Sequence, residues 1–208
     1  MLIKRLLVTF FSILILLSFS SNLFACACCA EPGEYIISTQ KPDEYQLGIL
    51  GEMQFDKTAE LYLDAEGFEG IKGLGVSDGE NADQFDLVAS FIAKTWKFNM
   101  KAQNGKSGIL TLPIPTQMVS FKVDIHDKEE GDPLLYKELR YKGTAASGTG
   151  IFKSGIIRPT TYFLVFQGRG NNCDNASDFT HWRLEITGTR ASYAFYGKMK
   201  SLESVPKS

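Results

Sequence analysis

Thr180-His181-Trp182-Arg183-Leu184-Glu185-Ile186-Thr187 changes character at every step, with Thr180, Trp182, Leu184 and Ile186 in one set and His181, Arg183, Glu185 and Thr187 in the other. A period of two is the pitch of a β-strand, whose successive side chains leave on opposite faces. The stretch therefore predicts a strand with one buried side and one wetted side. Such clean alternation favours antiparallel sheet, since parallel strands are covered on both faces. Outward from it, Tyr162-Phe163-Leu164-Val165-Phe166 is apolar at every position and predicts a central strand, and residues 191–196 predict the last one. Val119, Phe121, Val123 and Ile125 alternate with Ser120, Lys122, Asp124 and His126. Polarity alone puts the first set in the core and the second in water.

Shorter β-branched and aromatic runs recur earlier, at 35–39, 60–63, 85–100 and 108–112, with Gly, Asn, Asp or Pro between them. Asn104-Gly105 lies between the last two. Asn-Gly between two such runs is a strong hairpin signal, and a type I′ turn there needs positive φ at both central residues. No segment holds a 3.6-residue stripe. The best helical candidate is residues 43–51, interrupted by Gly48 and Gly51. These patterns predict an all-β fold: a single antiparallel β-barrel or β-sandwich of about eight to ten strands.

The N-terminus predicts export. Lys4-Arg5 precedes an apolar run from Leu6 to Phe19 that carries no charge, and Ala25-Cys26-Ala27 follows. Cationic start, apolar core and small-residue boundary are the order of a secretory signal. At 1.5 Å per residue, the apolar core is shorter than the roughly 30 Å hydrocarbon layer, which argues against a membrane anchor. The expected divisions are a cleaved signal peptide at 1–25, a cysteine-rich mature N-terminus at 26–33, a β domain at 34–200 and a flexible tail at 201–208. Cleavage is expected before Cys26 or before Cys28. Leu23-Phe24-Ala25-Cys26 also resembles a bacterial lipobox, which would acylate Cys26 and tether the protein. The expected location is extracytoplasmic, periplasmic or secreted, with the membrane involved only through a lipid on Cys26.

The chain carries 22 Lys and Arg against 24 Asp and Glu. Twelve of the acids fall within 43–86 beside two lysines, whereas 87–208 holds seventeen basic residues against ten acidic ones. The basic residues are scattered, with no run of five, so no nucleic-acid partner is expected. Residues 78–86 gather acids in a loop, but Ala82 and Asp83 break the calcium-loop pattern and a solvated acidic loop is expected.

Cys26-Ala27-Cys28-Cys29 is the most unusual cluster, and Cys173 is the only other cysteine. In an oxidising compartment cysteines are mostly bridged, so Cys173 is expected to pair with one of Cys26, Cys28 and Cys29. The same three thiolates, kept reduced, are soft ligands for copper or zinc. His126 and His181 are the only histidines, and no G-x-S-x-G nucleophile turn occurs; no catalytic residue and no cofactor are expected. The segment from Gly168 to Asp178 joins two strong strands and is rich in Asn, Asp and Gly, which suit a shaped loop. Arg169, Asn171, Asn172 and Asn175 are its candidate contact residues, because loops carry function more often than core does.

The composite expectation is an exported, non-enzymatic β-protein that binds a small apolar ligand or an envelope partner, its oligomeric state left open. An apolar ligand would sit among Trp96, Phe98, Phe163, Val165 and Trp182, which equally suit a filled core. The alternative is a thiol-based metal-handling protein using Cys26, Cys28 and Cys29.

Overall fold

In the computed structural model, which describes residues 33–65, 67–79, 81–125, 134–145, 147–157 and 159–200, the alternating C-terminal stretches become long antiparallel strands. β1 (Tyr35–Gln40) is followed by α1 (Glu44–Glu52), β2 (Thr58–Leu61), β3 (Gln84–Ile92), β4 (Thr95–Ala102), β5 (Ser107–Pro113) and β6 (Met118–Val123). Then come β7 (Leu135–Thr144), β8 (Ser147–Gly148), β9 (Thr160–Gly170), the short turn η1 (Ala176–Asp178), β10 (Phe179–Gly188) and β11 (Ala191–Lys198). All pairings are antiparallel, in the order β1-β6-β7-β9-β10-β11-β2-β3-β4-β5-β8. β1 and β8 are edges, so the sheet is open.

The all-antiparallel class matches the sequence pattern. The described strands number eleven rather than about eight to ten, for a local reason. The run at 85–100 is a hairpin, β3 and β4, turning at Ala93 and Lys94, which hold positive φ of 49° and 60°. This is the φ requirement of a two-residue type I′ turn, met without Gly or Asn. At Asn104-Gly105 a hairpin does form, but only Gly105 has positive φ, 84°. Gly105 N–H donates to the Ala102 carbonyl and Ala102 N–H to the Lys106 carbonyl. The connection is thus a tight turn closed by one left-handed glycine rather than a type I′ turn. The helical candidate forms α1, because Asp43 accepts from Gln46 N–H at 2.9 Å while Gln46 Oε1 accepts from Asp43 N–H at 3.0 Å. That reciprocal cap satisfies two backbone donors that the first turn would otherwise leave open.

One face of the sheet is buried, and rings from strands far apart in the order meet over it. Trp96 of β4 lies 5.0 Å from Tyr141 of β7, and Phe98 of β4 lies 5.7 Å from Trp182 of β10. Phe55 packs against Phe98, Phe166 and Trp182 together. The sheet therefore curls over its own core, and edge-to-face packing adds to the burial of these large rings. Trp182, Leu184 and Ile186 face inward as expected, whereas Thr180 is exposed. Phe163 and Val165 do not join Trp96, Phe98 and Trp182. The buried cluster takes their neighbours Tyr162, Leu164 and Phe166, so Phe163 and Val165 lie on the outward face.

β6 inverts the expectation from polarity. Met118 and Ser120 are buried, and Lys122 reaches toward the segment after β9. Phe121 instead stacks outward, edge-on to Tyr35 at 5.4 Å and under the Arg140 guanidinium at 4.8 Å. Alternation reads the period correctly, but polarity assigns the wrong side, because this end of the buried face is lined by charge.

Candidate functional site

That charge centres on Lys137. Along β7, Leu135, Lys137, Leu139 and Tyr141 share the inward face, and Lys137 is 0 % exposed. Its Nζ donates to the Cys173 carbonyl and to Asp178 Oδ2, the latter at 2.6 Å, and lies 3.1 Å from Asp174 Oδ1. Lys122 Nζ donates to the Asn172 carbonyl and sits 3.1 Å from the same Asp174 oxygen. The Phe179 ring closes over Lys137 at 5.9 Å. Two ammonium groups and two carboxylates balance, which is the condition for keeping charge out of water.

Residues 171–178 are thus tied down from beneath. Tyr45 of α1 donates its hydroxyl to the Asp174 carbonyl. Burial first, and then the Asp174 charge, push this phenol above its ordinary range, so it stays a donor. Asp178 Oδ2 also accepts the Asn175 N–H at 3.1 Å, forming the cap of η1. The glycines of Gly168-Arg169-Gly170 make room. A Cβ at Gly168 would lie 1.7 Å from the Asp178 carbonyl oxygen, and one at Gly170 would lie 2.4 Å from its carboxyl carbon. The loop lies flat on β9 because two of that strand's inward positions have no side chain.

Of the candidate contact residues, Arg169, Asn171 and Asn175 are exposed, while Asn172 is half-buried and its carbonyl serves Lys122. Cys26, Cys28, Cys29 and His126 lie outside the described residues. His181 is exposed, its Nδ1 2.9 Å from Thr180 Oγ1. Among the described residues, no three His, Cys, Asp or Glu side chains converge as a metal site, and no helix is long and apolar enough to cross a membrane. The clamp of Lys122, Lys137, Asp174 and Asp178 was not foreseen. A lysine at an inward position between Leu135 and Leu139 is the signal that marks it.

The outward side of β7 carries a second polar group. Tyr136 hydroxyl donates to Glu138 Oε1 at 2.5 Å and accepts from Gln167 Nε2 at 3.0 Å. Arg140 Nε donates to the other Glu138 oxygen. Burial by itself would raise the Glu138 carboxyl, but hydrogen bonds from Tyr136, Gln167 and Arg140 outweigh it and hold the group below its ordinary range. Burial, followed by the bond to Glu138, pushes the Tyr136 phenol up to about 12.

Fold and site together define an all-antiparallel β protein with one loop held by buried ion pairs. No protein-family model, no curated protein and no solved structure matches the chain.

Proposed function

We propose that the protein is an exported, non-enzymatic binding module that meets an envelope partner through residues 169–178. The observation that carries this reading is the buried clamp. Buried ion pairs add little net stability compared with apolar packing of the same volume, because desolvation offsets their attraction. Two lysines and two aspartates spent beneath one surface loop are therefore better explained by the geometry they impose. A rigid loop presents Arg169, Asn171 and Asn175 without an ordering cost on binding. The interior is the weaker alternative for a small apolar ligand, since Phe98 already packs on Trp182, and Trp96 on Tyr141 and Phe166.

Cys173 belongs to the same reading, paired with one of Cys26, Cys28 and Cys29. The pairing is supported by the count, since the chain has no cysteines beyond these four. The start of the described chain also lies near it. Gly33 N–H donates to Asp124 at 2.7 Å, two residues from Lys122, which holds Asn172. The N-terminus would then brace the loop, whether free after cleavage in the periplasm or medium, or lipid-bearing at Cys26. Metal handling by the cluster would compete for the same sulfurs.

Photo-crosslinking in the native compartment tests the reading. A photoreactive residue at Asn171 or Asn175 should give a discrete adduct, and one at the exposed Val88 of β3 should not. Equal labelling at all three positions, or none at the loop, would overturn it.

A further inference from the structure

Farther along β10 than the clamped loop, on the outward face of β10 and β11, lies a small groove of about 180 Å³. Among the described residues, Tyr62, Arg183, Glu185, Thr187, Ser192 and Ala194 border it. Its shape follows from the register. Glu185 stands opposite Ala194 and Thr187 opposite Ser192, so the β11 side of the floor carries only small side chains. Ile186 and Tyr193 also reach the groove, but their side chains belong to the core. The chain after β2 makes the facing wall. Tyr62 N–H donates to the Ala194 carbonyl at 2.8 Å, and Lys72 N–H to the Ser192 carbonyl at 3.1 Å. Between these two attachments the chain leaves the sheet, bringing Gly67, Gly70 and Ile71 to the border.

The wall is fixed. Gly67 N–H donates to the Asp64 carbonyl at 3.0 Å and Ile71 N–H to the Phe68 carbonyl at 3.1 Å, while Leu63, Phe68 and Ile71 pack against the core. A Cβ at Gly70 would lie 2.9 Å from Asp64 Oδ2, so the absence of a side chain there lets the carboxylate fold back onto its own wall. Tyr62, by contrast, is 58 % exposed. Arg183 Nη2 lies 2.9 Å from Glu185 Oε1. As a unit that pair carries no net charge, yet the contact leaves most of the guanidinium N–H groups and the second carboxylate oxygen open. Donors and acceptors thus stand side by side, next to the Thr187 and Ser192 hydroxyls, which can act as either. Such a set matches ligand hydroxyls, which also donate and accept, better than a carboxylate, which only accepts, or an ammonium, which only donates. The exposed Tyr62 ring adds an apolar surface with a polar tip. A pyranose ring meets both demands, with hydroxyls around its rim and C–H bonds on its faces.

We propose that this groove binds one ring of a neutral sugar. The proposal goes beyond the loop reading and places a second binding surface on the molecule. Amide NMR of the purified protein tests it. D-glucose, D-galactose, D-mannose and N-acetyl-D-glucosamine are titrated separately, each as the free sugar and as its methyl glycoside, with glycerol, sodium acetate and ethylammonium chloride as controls. At least one sugar should give saturable shifts at Thr187 and Ser192 with Asn99 of β4 unmoved, whereas glycerol should give only linear ones. Tyr62→Ala should weaken the midpoint by about five-fold, the worth of one aromatic contact. Glu185→Gln should also weaken it, and Tyr62→Phe, which keeps the ring, should hold the wild-type midpoint. Binding of the free sugar alone identifies a free sugar as the ligand, and equal or tighter binding of the glycoside identifies the end of a glycan; either supports the site. Linear shifts with every sugar, a midpoint unchanged in both Tyr62→Ala and Glu185→Gln, or tighter saturation by acetate or ethylammonium than by any sugar overturns it. Crosslinking from Asn171 or Asn175 reads a different surface, so failure of either proposal leaves the other standing.

Discussion

Lys137 shows how one side chain decides the local design. Lys137→Met keeps most of the volume but strands Asp174 and Asp178 without their shared cation. Breaking a buried pair by removing one partner costs about 3–5 kcal/mol. Urea unfolding should show a loss of that size, and adding Asp178→Asn in the Met background should recover part of it. A midpoint unchanged in Lys137→Met would mean that the ammonium is not needed beneath the loop. This residue also marks where reading by polarity stops working. At Trp182, Leu184 and Ile186, apolar meant inward, and the sequence alone placed them correctly. In β6 and β7 the inward positions Lys122 and Lys137 are charged because their partners, Asp174 and Asp178, arrive more than 35 residues later in the chain. No local window contains both halves of such a pair. The loop could be singled out from its composition; its anchors could not.

Elements with local signals were legible to the extent that the signal was chemical. Residues 43–51 stood out only as the best helical candidate, and the structure supplies the reason they form α1 despite two glycines: the reciprocal cap of Asp43 and Gln46, three residues apart. Asn104-Gly105 announced a turn but not its type, and Ala93-Lys94 announced nothing, since those side chains merely tolerate the conformation that β3 and β4 impose. The Gly105 hairpin gives a clean test of backbone cost. No atom lies within 4 Å of where a Cβ would stand, so Gly105→Val is opposed by its φ of 84° alone. It should destabilise by more than about 1 kcal/mol in a thermal melt, whereas Gly105→Asn, which tolerates left-handed backbone, should cost only a fraction of that. Equal melting of both variants would remove the left-handed turn from the account.

Across the whole molecule, the proposed pairing of Cys173 with the 26–29 cluster would be the link with the widest reach. It would close a loop of about 145 residues, a constraint on the unfolded chain that the loop-entropy model puts at about 5 kcal/mol. Cys173→Ser should therefore lower the melting temperature by several degrees or more and alter the change in intact mass on reduction. An unchanged melt together with an unchanged mass shift would exclude the bridge. The same mass measurement reports the start of the mature chain and any acyl group on Cys26. The strand order has a further effect, on when the fold can exist. β2, ending at Leu61, lies between β3 and β11, and its Leu61 pairs with Phe195; among the described strands β1 pairs only with β6, Tyr35 opposite Val123. Contacts that span so much of the chain are slow to form, because loop closure precedes any gain from pairing. A chain emerging N-terminus first cannot seat β2 on both sides until β11 has been made. Were the chain exported as proposed, crossing a membrane as an unfolded thread, its own topology would withhold the fold until the last strand is through.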